Sequence, residues 1–205
     1  LRNDLIVEAW RFEALNLYYD DVTSNAQRTL AALEGRVELS NEALLVAAYR
    51  ATQYAEFSQF KATFDELTST GNINLIKDLE LRKIAMSVYS TKVFDNVKNE
   101  GINSRYRVAF RMLIPDAVQV AVAQKCGDKG TTINDYESMI NSLDYPCKTG
   151  LSQNEIDRAA ETLRADATLI PLLRLRLADI RSATSTSTMS SDDFKYLNEH
   201  AKGKP

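Results

Sequence analysis

Apolar residues in this chain recur every three or four positions and rarely alternate. Counting from Leu5, Phe12, Tyr19, Ala26 and Leu33 share one heptad position and Leu15 and Val22 another, interrupted by Glu8 and Thr29. This spacing predicts a single helix of about thirty residues, a rod of roughly 45 Å. Such a rod packs lengthwise in a bundle. Gly35 ends it, and Ser40 is placed to cap a second helix with Leu44, Ala47, Ala48, Ala51, Tyr54 and Ala55 on one face. The short turn between them makes the two helices antiparallel neighbours. Phe57, Phe60, Phe64 and Leu67 continue the helical spacing up to Thr70.

The stretch FDELTSTGNINLIKDLELRK, residues 64–83, then interrupts the helix and resumes it. Gly71 supplies a left-handed C′ position, Ile73, Leu75 and Ile76 form an apolar plug, and Asp78 caps a helix opening Leu79-Glu80-Leu81. The prediction is a corner at residues 70–77, buried through Leu75 and Ile76. The helix beyond it runs through Ile84, Val88 and Phe94 toward Asn99 and is interrupted at residues 100–103. Ser104 caps a continuation with Tyr106, Phe110 and Leu113 until Pro115, and a short helix follows from Asp116 to about Lys125.

Residues 126–150 hold three of the seven glycines and both cysteines, with one short helical patch from Ile133 to Leu143. Ser152 opens a last long helix through Ile156, Ala160, Leu163, Ala167 and Ile170, kinked or broken at Pro171 and resuming through Leu173, Leu177 and Ile180. The pattern predicts an all-α, elongated antiparallel helical bundle with long first and last helices and one irregular cysteine-containing segment. A single domain over residues 1–182 is expected, followed by a polar Ser/Thr linker and a short C-terminal helix or tail over 183–205.

Composition narrows the function classes. With 44% hydrophobic and 26% charged residues in 205, the chain is long enough for one sizeable core. A net charge of −3 and a pI near 5.3 give no one-sided basic field, so nucleic acid is not an expected partner. No run of about 18 apolar residues occurs. Because the chain begins at Leu1 without Met, a processed or truncated start is expected, and membrane contact only through a segment upstream of Leu1.

Candidate chemistry is sparse. His200 is the sole histidine and lies in the polar tail, which disfavours His-based metal clusters and imidazole-assisted nucleophiles. Gly127 and Gly130 lack the strand, third glycine and helix entry of a phosphate loop. Asp20-Asp21, Asp65-Glu66 and Asp192-Asp193 are adjacent in sequence and so diverge on a helix, while Glu8, Glu13 and Asp20 share one solvated face. A di-metal bundle site would use Glu-x-x-His pairs, which one histidine cannot supply. No catalytic residue, metal ligand or cofactor is expected. Charge is uneven, with 7 basic and 13 acidic side chains over residues 1–81, 8 and 3 over 82–125, and 10 and 12 over 126–205. Arg82, Lys83, Arg105, Arg107 and Arg111 therefore make a candidate basic strip for an anion or an acidic partner, with pairing to the acidic first helices as the alternative. Tyr18, Tyr19, Tyr49, Tyr54, Phe57 and Phe60 either line a pocket or, at their helical spacing, fill the core.

The constellation Phe64, Leu67, Gly71, Leu75, Ile76, Asp78, Leu81, Arg82 and Tyr89 resembles a motif of an uncharacterised group of bacterial proteins. These have one N-terminal membrane helix and a helical extracytoplasmic domain. Glu8-Ala9-Trp10 is similar to the Trp-containing juxtamembrane stretch of that group, and the resemblance covers about residues 1–95. It implies a periplasmic or cell-envelope domain, anchored to the inner membrane, with a cytoplasmic location as the alternative. With the compartment so implied, Cys126 and Cys147 are expected to form a disulfide. Zinc ligation and two unpaired buried thiols remain the rivals. The expected function is a non-enzymatic interaction or sensory domain that binds a protein partner or self-associates through helix faces. A soluble small-molecule-binding bundle is the alternative, and an enzyme with an unrecognised site the third reading.

Overall fold

The structure, a computed structural model, describes residues 1–56, 58–130, 142–185 and Tyr196. Among these residues it is all-α: α1 (Arg2–Leu33), α2 (Asn41–Arg50), α3 (Ala62–Ser69), a 3₁₀ turn (Asn72–Leu75), α4 (Leu79–Ser90), α5 (Val93–Asn103), α6 (Arg105–Leu113), α7 (Asp116–Cys126), α8 (Gln153–Ala165) and α9 (Leu169–Thr184). The expected patch at Ile133 lies outside the described residues, as do Phe57, His200 and nearly all of the Ser/Thr tail.

Local chemistry accounts for the ends. Gly35, at φ 71°, closes α1 in a Schellman motif, with the Arg36 N–H on the Ala31 carbonyl and the Gly35 N–H on Ala32. Ser40 accepts from the Ala43 N–H, Ser104 from Arg107, and Ser152 forms a reciprocal capping box with Glu155. Two large clusters make up most of the core. Leu5 to Val22 of α1 packs with α4, α5 and Ile180, whereas Ala26 and Leu30 pack with α2, α6, α7, α8 and the start of α9. Both α1 and α9 thus run through the two clusters.

Several expected boundaries move. Helix 2 stops at Arg50 instead of continuing to Thr70, because the carbonyls past it turn to side chains: Ala51 and Gln53 accept from Arg176 at 3.2 and 2.6 Å, and Thr52 from Arg107 at 3.1 Å. An additional break falls at Thr91, whose hydroxyl accepts the Val93 N–H, while the expected interruption at residues 100–103 is met by the end of α5 at Asn103, with Ser104 capping α6. Gly101 lies in the last turn of α5 against Tyr54; a Cβ there would be 2.1 Å from that of Tyr54. Replacement of Gly101 by alanine is therefore expected to lower stability by about 1–3 kcal/mol in urea unfolding. The last long helix is two helices. Asp166 accepts from the Thr168 N–H and hydroxyl, α9 starts afresh at Leu169, and Pro171 falls in its first turn, where no N–H is needed. Helix α9 extends to Thr184, past the expected boundary at 182, and the Tyr196 hydroxyl donates to Asp78 at 2.7 Å while its ring packs on the first cluster.

At the corner, Gly71 adopts φ 72° and Asp78 accepts from the N–H groups of Glu80 and Leu81, as the pattern predicts. Leu75 is the correction: it is 63% exposed. In a 3₁₀ turn residues three apart eclipse, so Ile73 and Ile76 share the inner side while Asn72 and Leu75 face water. The plug is Ile76, packed on the first cluster with Phe64, whose ring stacks on Tyr89 at 4.7 Å. Leu75→Ala is expected to change the melting free energy by less than about 0.5 kcal/mol. Gly71→Val should cost about 1 kcal/mol or more, all of it conformational because nothing lies within 4 Å of a Cβ there.

Candidate functional site

The cysteine segment folds back over the second core cluster. Cys126 ends α7 and Cys147 follows bends at residues 142–145; their sulfurs lie at disulfide bonding distance, with Cα atoms 5.5 Å apart. Between them sits Arg50, only 2% exposed. Its Nε donates to the Cys126 carbonyl at 3.0 Å and its Nη2 to the Tyr145 carbonyl at 2.9 Å, with the guanidinium 4.5 Å above the Tyr145 ring. Asp144 lies 3.5 Å from Arg50 and accepts from Arg28 at 2.8 Å. One arginine therefore ties the end of α7, the cysteine loop and α2 together.

These groups border a groove of about 420 Å³. Ala43, Val46, Ala47 and Pro146 line it, and Arg28 and Lys148 stand at its edge. Glu42 accepts from the Thr149 N–H and hydroxyl, both at 2.8 Å, and from Lys148 at 3.0 Å; the Thr149 N–H chiefly holds its pKa below the usual range. Burial pushes the Asp21 carboxyl up, against the Leu143 and Asp144 N–H groups that donate to it. Burial also lowers the Arg50 pKa, opposed by Tyr145 and Asp144. The groove thus pairs an apolar floor with cations that are already engaged, Arg28 by Asp144 and Lys148 by Glu42. Among the described residues no three His, Cys, Asp or Glu side chains are placed to hold a metal.

The candidate basic residues do not form one strip. Arg82 and Lys83 stand on α4, in the first cluster, where they contact Asn74 and Glu80. Arg105, Arg107 and Arg111 stand on α6, in the second, with Arg107 turned inward over Tyr54 and onto the Thr52 carbonyl. The aromatic candidates do not share a pocket: Tyr18 and Tyr19 are core, and Phe60 is exposed beneath Arg11. Of the corner residues, Leu81 and Tyr89 are buried and Leu67 is half-buried. Trp10 packs with Ala14 and Leu17 in a small cluster of its own.

Glu8 corrects the solvated-face reading, because it is fully buried while Glu13 and Asp20 are exposed. Its Oε1 accepts the Phe60 N–H at 2.7 Å and Arg11 at 3.2 Å, clamping the segment before α3 onto α1. Burial raises its pKa. The folded state then holds this proton more tightly than the unfolded chain, so ionised Glu8 costs stability at neutral pH, a cost relieved as pH falls through the raised pKa. The melting temperature of Glu8→Gln relative to the parent is therefore expected to fall as pH is lowered from neutral toward the ordinary glutamate range, and a pH-independent difference would exclude Glu8.

Sequence pattern missed Arg50 and Arg176. Arg176 is 1% exposed and bonded to Glu100. A signal existed: Arg176 falls on the face of Leu169, Leu173 and Ile180, at positions i, i+4, i+7 and i+11. Comparison of the chain with protein-family models, with curated proteins and with solved structures finds no match.

Proposed function

We propose that this chain is a non-enzymatic interaction or sensory domain that works outside the cytoplasm as part of a membrane-anchored bacterial protein. The observation that carries the reading is the pairing of Cys126 with Cys147, since bonds of this kind persist in oxidising compartments. The resemblance of the Gly71 corner to the anchored bacterial group supports it. Intact mass and thiol titration under denaturing, non-reducing conditions, on protein taken from its own cells, test it. No reactive thiol is expected, and two would overturn the extracytoplasmic assignment. A second reading, a small-molecule-binding bundle, is favoured by the groove beside Arg50, whose volume falls in the range of ligand pockets. Retention of a small molecule through purification, released by denaturation and absent from Arg28→Glu, would support it.

A further inference from the structure

Helix α6 reads RYRVAFRML, three arginines and no carboxylate. Tyr106 and Phe110 bury one side in the second cluster. The opposite side presents Arg105, Val108, Arg111 and Met112, with Val108 50% and Met112 83% exposed. A single exposed apolar residue is ordinary, but two on one face flanked by cations make an amphipathic ridge. Beside it runs a groove of about 230 Å³, where Phe110, Val120 and Ala123 supply apolar lining and Arg107 and Arg111 outnumber the single carboxylate, Asp116.

The field here is positive on balance. Arg11, Arg28, Arg36, Arg50, Arg174 and Arg176 each meet a carboxylate, whereas among the described residues Arg105 and Arg111 meet none. Over α6 and α7 the one carboxylate is Asp116, against Arg105, Arg107, Arg111 and Lys125. We propose that the outer face of α6 and the adjoining groove dock an acidic amphipathic helix of a partner protein, its apolar ridge meeting Met112 and Val108 and its carboxylates meeting Arg105 and Arg111. A second copy of this chain fits less well. Its remaining exposed apolar side chains, Phe60, Leu75, Leu79, Met86 and Leu175 among them, are spread over the segment before α3, the 3₁₀ turn, α4 and α9. A bilayer fits less well too. The proposal rests on the reading of the chain as a tethered interaction domain, and α6 packs near the end of α1 farthest from Leu1.

The probe is a synthetic helical peptide of about 18 residues with leucines at i, i+4 and i+7 between glutamates, beside a twin with lysine for glutamate. Titrated into the isotope-labelled full chain, the acidic peptide is expected to shift amide signals of α6 and α7. Its affinity should fall about tenfold in Arg111→Glu and in Met112→Asp, with melting unchanged because both side chains are exposed, and should fall further with salt. Equal binding of the lysine twin would overturn the proposal, as would no binding of the acidic peptide. Binding to anionic phosphatidylglycerol vesicles that Arg111→Glu abolishes would assign the face to lipid instead. Shifts confined to another face would overturn the placement while leaving the interaction-domain reading intact, and two free thiols in cells would remove the compartment while leaving α6 untouched.

Discussion

Arg176→Ala is expected to lower stability by about 3–5 kcal/mol. The side chain is buried, with its Nε on the Ala51 carbonyl, Nη2 on Gln53 and Nη1 on Glu100. Its removal strands a carboxylate whose other oxygen, Oε1, is already buried without a hydrogen-bond partner. It also frees the carbonyls that end α2. Urea unfolding of the single variant checks the magnitude. Arg176→Met combined with Glu100→Gln should recover a substantial part of the loss, since removing both charges avoids the stranded one. A double variant no better than Arg176→Met would locate the effect in the α2 carbonyls. Burial raises the Glu100 pKa despite Arg176, so the neutral partner is the less costly state once the arginine is gone.

Breaking the Cys126–Cys147 bond by reduction, or by replacing both residues with serine, should lower stability by about 3 kcal/mol, the unfolded-state entropy of closing a loop of this length. The two residues are 21 apart in sequence. A second consequence follows from Arg50. Its acceptors are carbonyls of Cys126 and Tyr145, which the bond holds on either side of it, so loosening the loop is expected to expose the guanidinium and the groove lined by Val46 and Ala47. Denaturant unfolding measures the first effect. Hydrogen exchange at residues 142–149 measures the second: protection that survives reduction would show that Asp21 and Glu42, which accept from the N–H groups of Leu143, Asp144 and Thr149, hold the loop without the disulfide.

The legible part of this fold is what local chemistry decides. Heptad spacing located α1 to within a few residues, and Ser40, Gly71, Asp78, Ser104 and Ser152 act at the helix ends where their side chains or backbone freedom suit them. What remained hidden depends on partners far along the chain. The end of α2 is set by Arg107 and Arg176, more than fifty positions away, and nothing around Ala51 announces them. Leu75 and Ile76 are equally apolar, and only the tight turn decides which faces inward. The groove is assembled from α1, α2 and the cysteine loop, so its shape follows from tertiary contacts that no single stretch encodes.

Helices α1 and α9 flank the sequence of the described bundle yet pack against each other through both core clusters. On a ribosome adding about 5–20 residues per second, α2 is available to α1 almost at once, but α9 follows only on the order of ten seconds later. Throughout synthesis the apolar side of α1 that α9 will cover remains open to solvent or to chaperones. The first helix of the described bundle is thus completed by its last, and a chain stalled before Leu169 would emerge with the longest described element unfinished.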